Sequence, residues 1–307
     1  MERRVGDAVV IEGGTLTSVP GVEVGHWTDL VARTGVTVIT FPEPNHAAVE
    51  VRGGAPGSRE TAVLGHGMRV ETIQALVFSG GSAFGLASVD GVMRRLEADG
   101  RGHPTLVGRV PIVPAAVIYD LAVGDPTVRP GPDEGAAAYD ARRRHPVAMG
   151  RVGAGAGASV AGWRGPEARG DGGIGSAAVV CGDVTVGALV VVNAVGDAFT
   201  LEGEPLTGGP HVPGPSPVRP AAIEQTTLVA VAVDGLLSRA ELSRTIVRSH
   251  DALGACFRPA HTRFDGDAVF AVACGGTACD VDAVAEAAFE ATGRAIEAAV
   301  RAGKGAW

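Results

Sequence analysis

Short β-rich runs alternate with Gly and Pro turns through residues 9–40 and end in Val36-Thr-Val-Ile-Thr40. A strand-like stretch at Ala75–Phe78 runs into Ser79-Gly-Gly-Ser82, after which Ala83, Leu86, Val89, Val92, Met93 and Leu96 recur at helical spacing up to Gly100. Residues 110–118 are apolar but hold Pro111 and Pro114, the pattern of a buried, irregular strand, and Ala136 to Arg144 reads as a short helix. The β-rich runs Ala177–Cys181 and Val184–Val192, joined by Gly182-Asp183, predict a hairpin. Thr226–Val233 is apolar on both faces and predicts a strand covered on both sides. Ser238 with Glu241 forms a capping box for a helix to about Leu253, stopped by Gly254. A strand at Ala268–Cys274 and an amphipathic helix at Val281–Ala302 close the pattern. Strands, hairpins and helices interleave, so the class is mixed α and β. A Pro/Gly cluster between 201 and 220 is the best linker, but the pieces on its two sides are too unequal for two domains, so 1–307 reads as one integrated domain.

Composition narrows the chemistry. The chain has 307 residues, 46 of them Gly, a net charge of −8, and Lys304 as its lone lysine. That scarcity excludes most lysine chemistry, including Schiff bases and a Walker A loop. The acidic balance argues against nucleic acid or an anionic membrane as the main partner, and the basic run Arg142-Arg143-Arg144-His145 reads as a solvated helix end. No apolar run approaches membrane-spanning length, and no apolar segment follows Arg3-Arg4 to make a targeting signal. Cys181, Cys256, Cys274 and Cys279 lack metal or redox spacing and read as free thiols in a reducing cytoplasm. The eight histidines are scattered, which gives no metal site; His250 and His261 bracket a loop, where a functional role stands beside the commoner core or surface one. Gly170-Asp-Gly-Gly-Ile-Gly175 matches a dinucleotide fingerprint only formally, because no strand precedes it and no helix follows. Gly80-Gly-Ser-Ala-Phe84 misses the nucleophile elbow at Phe84. No cofactor is implied.

Thr226 follows the linker and opens a buried strand. If the Gln225–Thr226 bond were cut, Thr226 would carry a hydroxyl and an α-amine with a pKa of about 8, able to act as its own general base. The cut can be intramolecular, through attack of the Thr226 hydroxyl on the Gln225 carbonyl and hydrolysis of the resulting ester. By itself a Thr-Thr pair at a strand start is ordinary β-propensity.

The segment Thr226-Thr-Leu-Val-Ala-Val-Ala-Val-Asp234 resembles the small-subunit start of the self-processing L-aminopeptidase/D-esterase family. That family includes the β-peptidyl aminopeptidases and the nylon-oligomer (6-aminohexanoate) hydrolases. Arg52-Gly-Gly-Ala-Pro-Gly-Ser-Arg-Glu-Thr61, Ser79-Gly-Gly-Ser-Ala-Phe-Gly-Leu86, Gly172-Gly-Ile-Gly-Ser-Ala177, Val192-Asn-Ala-Val-Gly-Asp197 and Phe264-Asp-Gly-Asp-Ala-Val-Phe270 resemble the same family in the same order. The resemblance implies a four-layer αββα sandwich in the α+β class, autocleavage into 1–225 and 226–307, and assembly as a homotetramer or larger. It implies Thr226 as nucleophile, Asn193 in the oxyanion hole, Tyr119 near the site, and Asp265 and Asp267 as the acidic pair of the threonine branch. Residues i and i+2 of an extended segment point the same way, so both carboxylates can face one ammonium. The implied reaction is hydrolysis of short peptides, β-peptides, amino-acid amides or linear amide oligomers through an acyl-enzyme. The alternatives are an uncleaved oligomeric binding protein or an acyltransferase. Three positions depart from the family pattern: Gln225 stands where Asn or Gly is usual, and Trp163 and Asp171 stand where lysines are expected, with Arg164 as the neighbouring cation.

Overall fold

A computed structural model of the chain describes residues 4–5, 8–208 and 224–304. The sheet strands run in chain order β1 (Arg4–Val5), β2 (Ala8–Val10), β3 (Glu23–Asp29), β4 (Thr34–Thr40), β5 (His46–Val51), β6 (Ser58–Arg59) and β7 (Ala75–Ser79). They continue with β8 (Ala115–Val117), β9 (Gly173–Cys181), β10 (Val184–Asn193), β11 (Thr226–Gly235) and β12 (Ala268–Thr277). The helices are α1 (Ser88–Ala98), α2 (Pro132–Asp140), α3 (Arg239–Cys256) and α4 (Val281–Lys304). One sheet has the order β1-β2-β9-β10-β11-β12-β5 and the other β3-β4-β7-β8-β6.

The alternation of side chains along the strands makes three cores and therefore four layers. On β11, Val229, Val231 and Val233 point with Val190 and Val269 towards Leu242 and Ile246 of α3 and Ile296 and Val300 of α4. Leu228, Ala230 and Ala232 point the other way, with Leu189 and Phe270, against Ile39, Leu76 and Phe78 of the second sheet. The opposite faces of that sheet, through Val36, Val38 and Val77, pack on Val89, Val92 and Leu96 of α1 and Ala138 and Tyr139 of α2. The order helix, sheet, sheet, helix is the αββα sandwich. A strand apolar on both faces is what an inner layer of such a stack requires.

Strand β11 lies between β10, its antiparallel neighbour, and β12, its parallel one. Its first residue, Thr226, is level with Asn193 at the end of β10. Gln225 just before it bridges in parallel to Asp265, in the loop that enters β12. Three neighbouring strand ends thus bring residues 193, 225–226 and 265–267 together.

Several boundaries differ from the sequence expectation. Helix α2 spans Pro132–Asp140, not 136–144. Pro132 starts it, and the Glu134 carboxylate accepts from the Gly131 N–H at 2.8 Å. The arginines follow it, and Arg143 donates to the Asp140 and Arg142 carbonyls while Arg142 reaches Glu23 and Asp99. Helix α3 passes Gly254 and ends at Cys256. An exposed helical glycine costs only about 1 kcal/mol relative to alanine, while buried Cys256 gives the extra turn an anchor and the Phe257 N–H closes on the Leu253 carbonyl. Ser238 and Glu241 form the capping box. Residues 170–171 pair as a short ribbon with 159–160 and lead into β9, with no helix opening there. Of the Pro/Gly linker, 209–220 lie outside the described residues.

Candidate active site

The hydroxyl of Thr226 donates to the carbonyl oxygen of Gln225 at 2.6 Å. The same oxygen accepts from the Gly266 N–H at 2.9 Å, and the Gln225 N–H donates to Phe264. Nucleophile, carbonyl and a backbone donor therefore meet at one buried bond, with Gln225 3 % and Thr226 4 % exposed. Glycine is required at 266, because a Cβ there would stand 2.7 Å from the Thr226 Oγ1. It is also required at 53, where a Cβ would overlap the backbone of Asp265 and Asp267. That close approach lets the Arg52 and Gly53 N–H groups donate to the Asp267 carbonyl, and Ala55 to the Asp265 carbonyl. The glycine-rich 52–57 loop is thus a brace for the 262–267 loop.

The two aspartates are fixed differently. Asp265 accepts from the Val195 N–H at 3.2 Å and from the Thr262 N–H and hydroxyl at 3.0 and 2.6 Å. Asp267 accepts from the Thr227 N–H at 2.7 Å and, on its other oxygen, from the His261 N–H and ring Nδ1 at 3.2 and 2.8 Å. Burial first, then the neighbouring Asp267 charge, pushes the Asp265 carboxyl up to about 7. Burial alone would lower His261, but its hydrogen bond and charge contact with Asp267 carry it above the usual histidine range. Of the two carboxyls, Asp265 is the one that burial and its neighbour push towards the protonated form. His250 packs edge-on to His261 at 5.0 Å and is pushed down to about 4 by burial. His261, one of the two histidines that bracket the loop, is in direct contact with Asp267. A pattern of His six residues before Asp carries no signal in one dimension, because the loop between them brings them together.

Asn193 is fully buried, and its side-chain oxygen accepts from the Ser159 N–H at 2.9 Å while its amide donates to the Tyr119 carbonyl at 3.2 Å. In the intact chain it is thus Gly266 N–H, a donor invisible to sequence reading, that holds the Gln225 carbonyl. Tyr119 lines two cavities separated by residues 224–225. One, of about 280 Å³, includes Thr226, Ser82, Val117 and Phe264; the other, of about 210 Å³, includes Ser159, Arg169 and Val123. Ser82 sits on the first wall in the left-handed region, with φ +53°.

The departures from the family pattern have structural partners. Trp163 is buried against Val195 and Phe264, and its ring N–H donates to Asp197 at 2.7 Å. Arg164 grips the same carboxylate through two nitrogens at 2.8 Å. Arg164 is therefore an Asp197 partner. Asp171 faces Arg33 at 2.9 Å and Arg151 at 3.6 Å. Gln225 fits its place through its side chain, whose amide donates to the Ser159 hydroxyl at 2.8 Å.

A family model described as Peptidase family S58 matches residues 14–306. The chain belongs to peptidase family S58. It is accordingly a hydrolase of peptide or amide bonds. Within that similarity, an uncharacterized aminopeptidase of Mycobacterium leprae is 39 % identical over 294 residues, covering 85 % of this chain and 78 % of the relative. A 6-aminohexanoate-oligomer endohydrolase of Paenarthrobacter ureafaciens is 31 % identical over 279 residues, covering 82 % and 73 %. The S58 chain also has the fold of an L-aminopeptidase D-Ala-esterase/amidase from Ochrobactrum anthropi, described as a variant of the Ntn hydrolase fold. That match has a TM-score of 0.76 at 22 % identity and covers 97 % of this chain and 88 % of that one. A Burkholderia sp. beta-aminopeptidase matches with a TM-score of 0.73 at 24 % identity, covering 98 % and 88 %. Among the described residues no group of His, Cys, Asp and Glu is arranged to hold a metal ion, and no helix is long and apolar enough to cross a membrane.

Proposed function

We propose that the chain cuts its own Gln225–Thr226 bond and then acts as an N-terminal-threonine amidohydrolase. The observation that carries this is the 2.6 Å contact of the Thr226 hydroxyl with the Gln225 carbonyl, which is braced from the other side by the Gly266 N–H. Attack of Oγ on the carbonyl carbon breaks the amide bond and forms an ester, with the α-amine of Thr226 released. Water then opens the ester, leaving a carboxylate on Gln225. The amine, at a pKa of about 8, takes the hydroxyl proton when the same Oγ attacks a substrate amide. The leaving amine departs protonated, and a second water releases the acyl group. Asp265 and Asp267 flank the new amine and carry its protons, and Asn193 serves the oxyanion of the incoming substrate once residue 225 has withdrawn.

The pieces 1–225 and 226–307 stay together in this reading as one folded unit, because β11 is central in its sheet. Each of its buried valines contributes about 1.5–3 kcal/mol of transfer free energy. Suitable substrates are short peptides, β-peptides, amino-acid amides and linear amide oligomers. Assembly as a homotetramer or larger belongs to the same reading, and fully exposed Leu106 and Val107 at the tip of the 103–110 hairpin offer apolar contact surface.

Intact-mass analysis of purified protein should show two pieces, the smaller starting Thr-Thr-Leu-Val on N-terminal sequencing. A start at Thr227 removes Thr226 as nucleophile, and one full-length species that persists on ageing favours the binding-protein alternative. Products carrying an added amine in place of water would favour acyl transfer. Asn193→Ala should lower kcat by about 10²-fold or more. The loss should be far larger than any change in thermal midpoint, since a midpoint shift with unchanged kcat would make Asn193 only the partner of Ser159.

A further inference from the structure

The second cavity beside the scissile bond carries a cation that no step above uses. Arg169 lines it with Tyr119, Ala122, Ser159 and Gln225. Its Nε is shielded from solvent and has no hydrogen-bond partner, and among the described residues no carboxylate pairs with its guanidinium. The other two arginines of the glycine-dense 150–175 region do have carboxylates: Arg151 faces Asp171 at 3.6 Å and Arg164 holds Asp197 at 2.8 Å. A guanidinium stays charged at every physiological pH, so a partly shielded one without a counter-ion favours an arriving anion.

The side chain of Gln225 shows which part of a substrate reaches this cavity. Thr226 Oγ must attack a substrate carbonyl from the position in which it meets the Gln225 carbonyl, so the substrate's acyl part replaces Gln225. The Gln225 carboxamide enters beside Ser159, donating to its hydroxyl at 2.8 Å, while its Oε1 is buried without a partner. Ala122 and Val123 line the same space with apolar surface suited to a short methylene stem. Glu224, which also lines the cavity, leaves with Gln225 when the tail withdraws, and its negative charge goes with it.

Resting on the self-processing reading above, we propose that Arg169 is a specificity-determining residue of the acyl subsite, selecting acyl groups that end in a carboxylate, of the glutamyl type. A carboxylate there can take a charge-assisted bond from the guanidinium, whereas the neutral Gln225 carboxamide makes none to it.

The test compares L-glutamyl (α-linked), L-glutaminyl and L-leucyl p-nitroanilides on purified, processed wild type, Arg169→Gln and Arg169→Lys. Wild type should prefer the glutamyl over the glutaminyl compound by about 10-fold or more in kcat/KM, as expected for a charge-assisted bond. Arg169→Gln should bring that ratio to about one, and Arg169→Lys should keep an intermediate preference. A uniform loss on all three compounds in Arg169→Gln, or an absent glutamyl preference in wild type, overturns the proposal. If Arg169→Gln fails to fold, inhibition of wild-type leucyl turnover decides: free L-glutamate should bind about 10-fold more tightly than L-glutamine, and equal inhibition overturns it. N-terminal sequencing and leucyl turnover separate the two readings. A processed, active enzyme indifferent to Arg169 sinks the acyl-subsite assignment alone, whereas an unprocessed and inert chain sinks both.

Discussion

Replacing Thr226 with alanine should leave the protein as one 307-residue species and abolish amide hydrolysis, with a loss of about 10⁴-fold or more, the scale on which removing a catalytic nucleophile acts. Two events depend on one oxygen. The Thr226 hydroxyl is the group within reach of the Gln225 carbonyl, at 2.6 Å, and the α-amine it later needs exists only after the cut. The alanine chain should still fold, because the side chain makes one hydrogen bond and its neighbours in β11 supply the burial. Thr226→Ser keeps the oxygen and should retain self-cleavage, which separates lost chemistry from a disturbed strand. The check is intact mass followed by turnover of an aminoacyl anilide. Alanine protein that still splits before residue 226 would sink the mechanism.

The other large effect is expected at Asp267. Its two oxygens accept from the Thr227 N–H on one side and from the His261 N–H and ring on the other, so every contact treats it as an acceptor. Asp267→Asn must turn an NH₂ towards one of these donors. Self-cleavage and turnover should fall by about 10²-fold or more, in the range of a lost acid–base group. Stability gives a second readout. The Asp265 carboxyl is raised from the ordinary 3.8 to about 7 by burial and then by the Asp267 charge. The folded chain therefore holds a proton that the unfolded chain has already lost across this window. Stability from this site is present below the unfolded value and lost as the pH rises through about 7. Removing the Asp267 charge lowers the Asp265 value, so the fall in stability between about pH 4 and 7 should become shallower in Asp267→Asn. Urea denaturation at several pH values measures that slope. A variant with the wild-type slope and wild-type cleavage would show that the aspartates do not act as a pair.

The parts of this architecture legible in one dimension were those with a periodic signal. The run 226–233, apolar on both faces, announced an inner strand, and it lies between two cores. Ser238 and Glu241 announced a helix start because a capping box is local. The end of that helix runs past the Gly254 signal, since glycine is only a weak stop and burial of Cys256 outweighs it. For α2 the apolar spacing begins at Ala136, whereas Pro132 starts the helix about a turn earlier.

The site divides along the same line. Thr226, Asp265 and Asp267 are legible through the resemblance of the segments that hold them to one family; a Thr at a strand start and an Asp-Gly-Asp turn are by themselves ordinary local structure. The Gly266 N–H on the Gln225 carbonyl, the His261 ring on Asp267 and Arg169 in the adjoining cavity could not be named from the sequence. A backbone donor has no side-chain signature, and an isolated His or Arg resembles any other.

The sequence by itself determined most of the strands and helices, because hydrophobic period is a local property, and only its resemblance to a family singled out Thr226. Only the tertiary structure decided what that residue meets. The order β10-β11-β12 places strand ends from three distant segments side by side. Closure of the 52–57 loop over residues 262–267 then fixes the donor, the acid pair and the histidine around one carbonyl. Those contacts join residues more than two hundred positions apart, a separation at which chain order carries no distance.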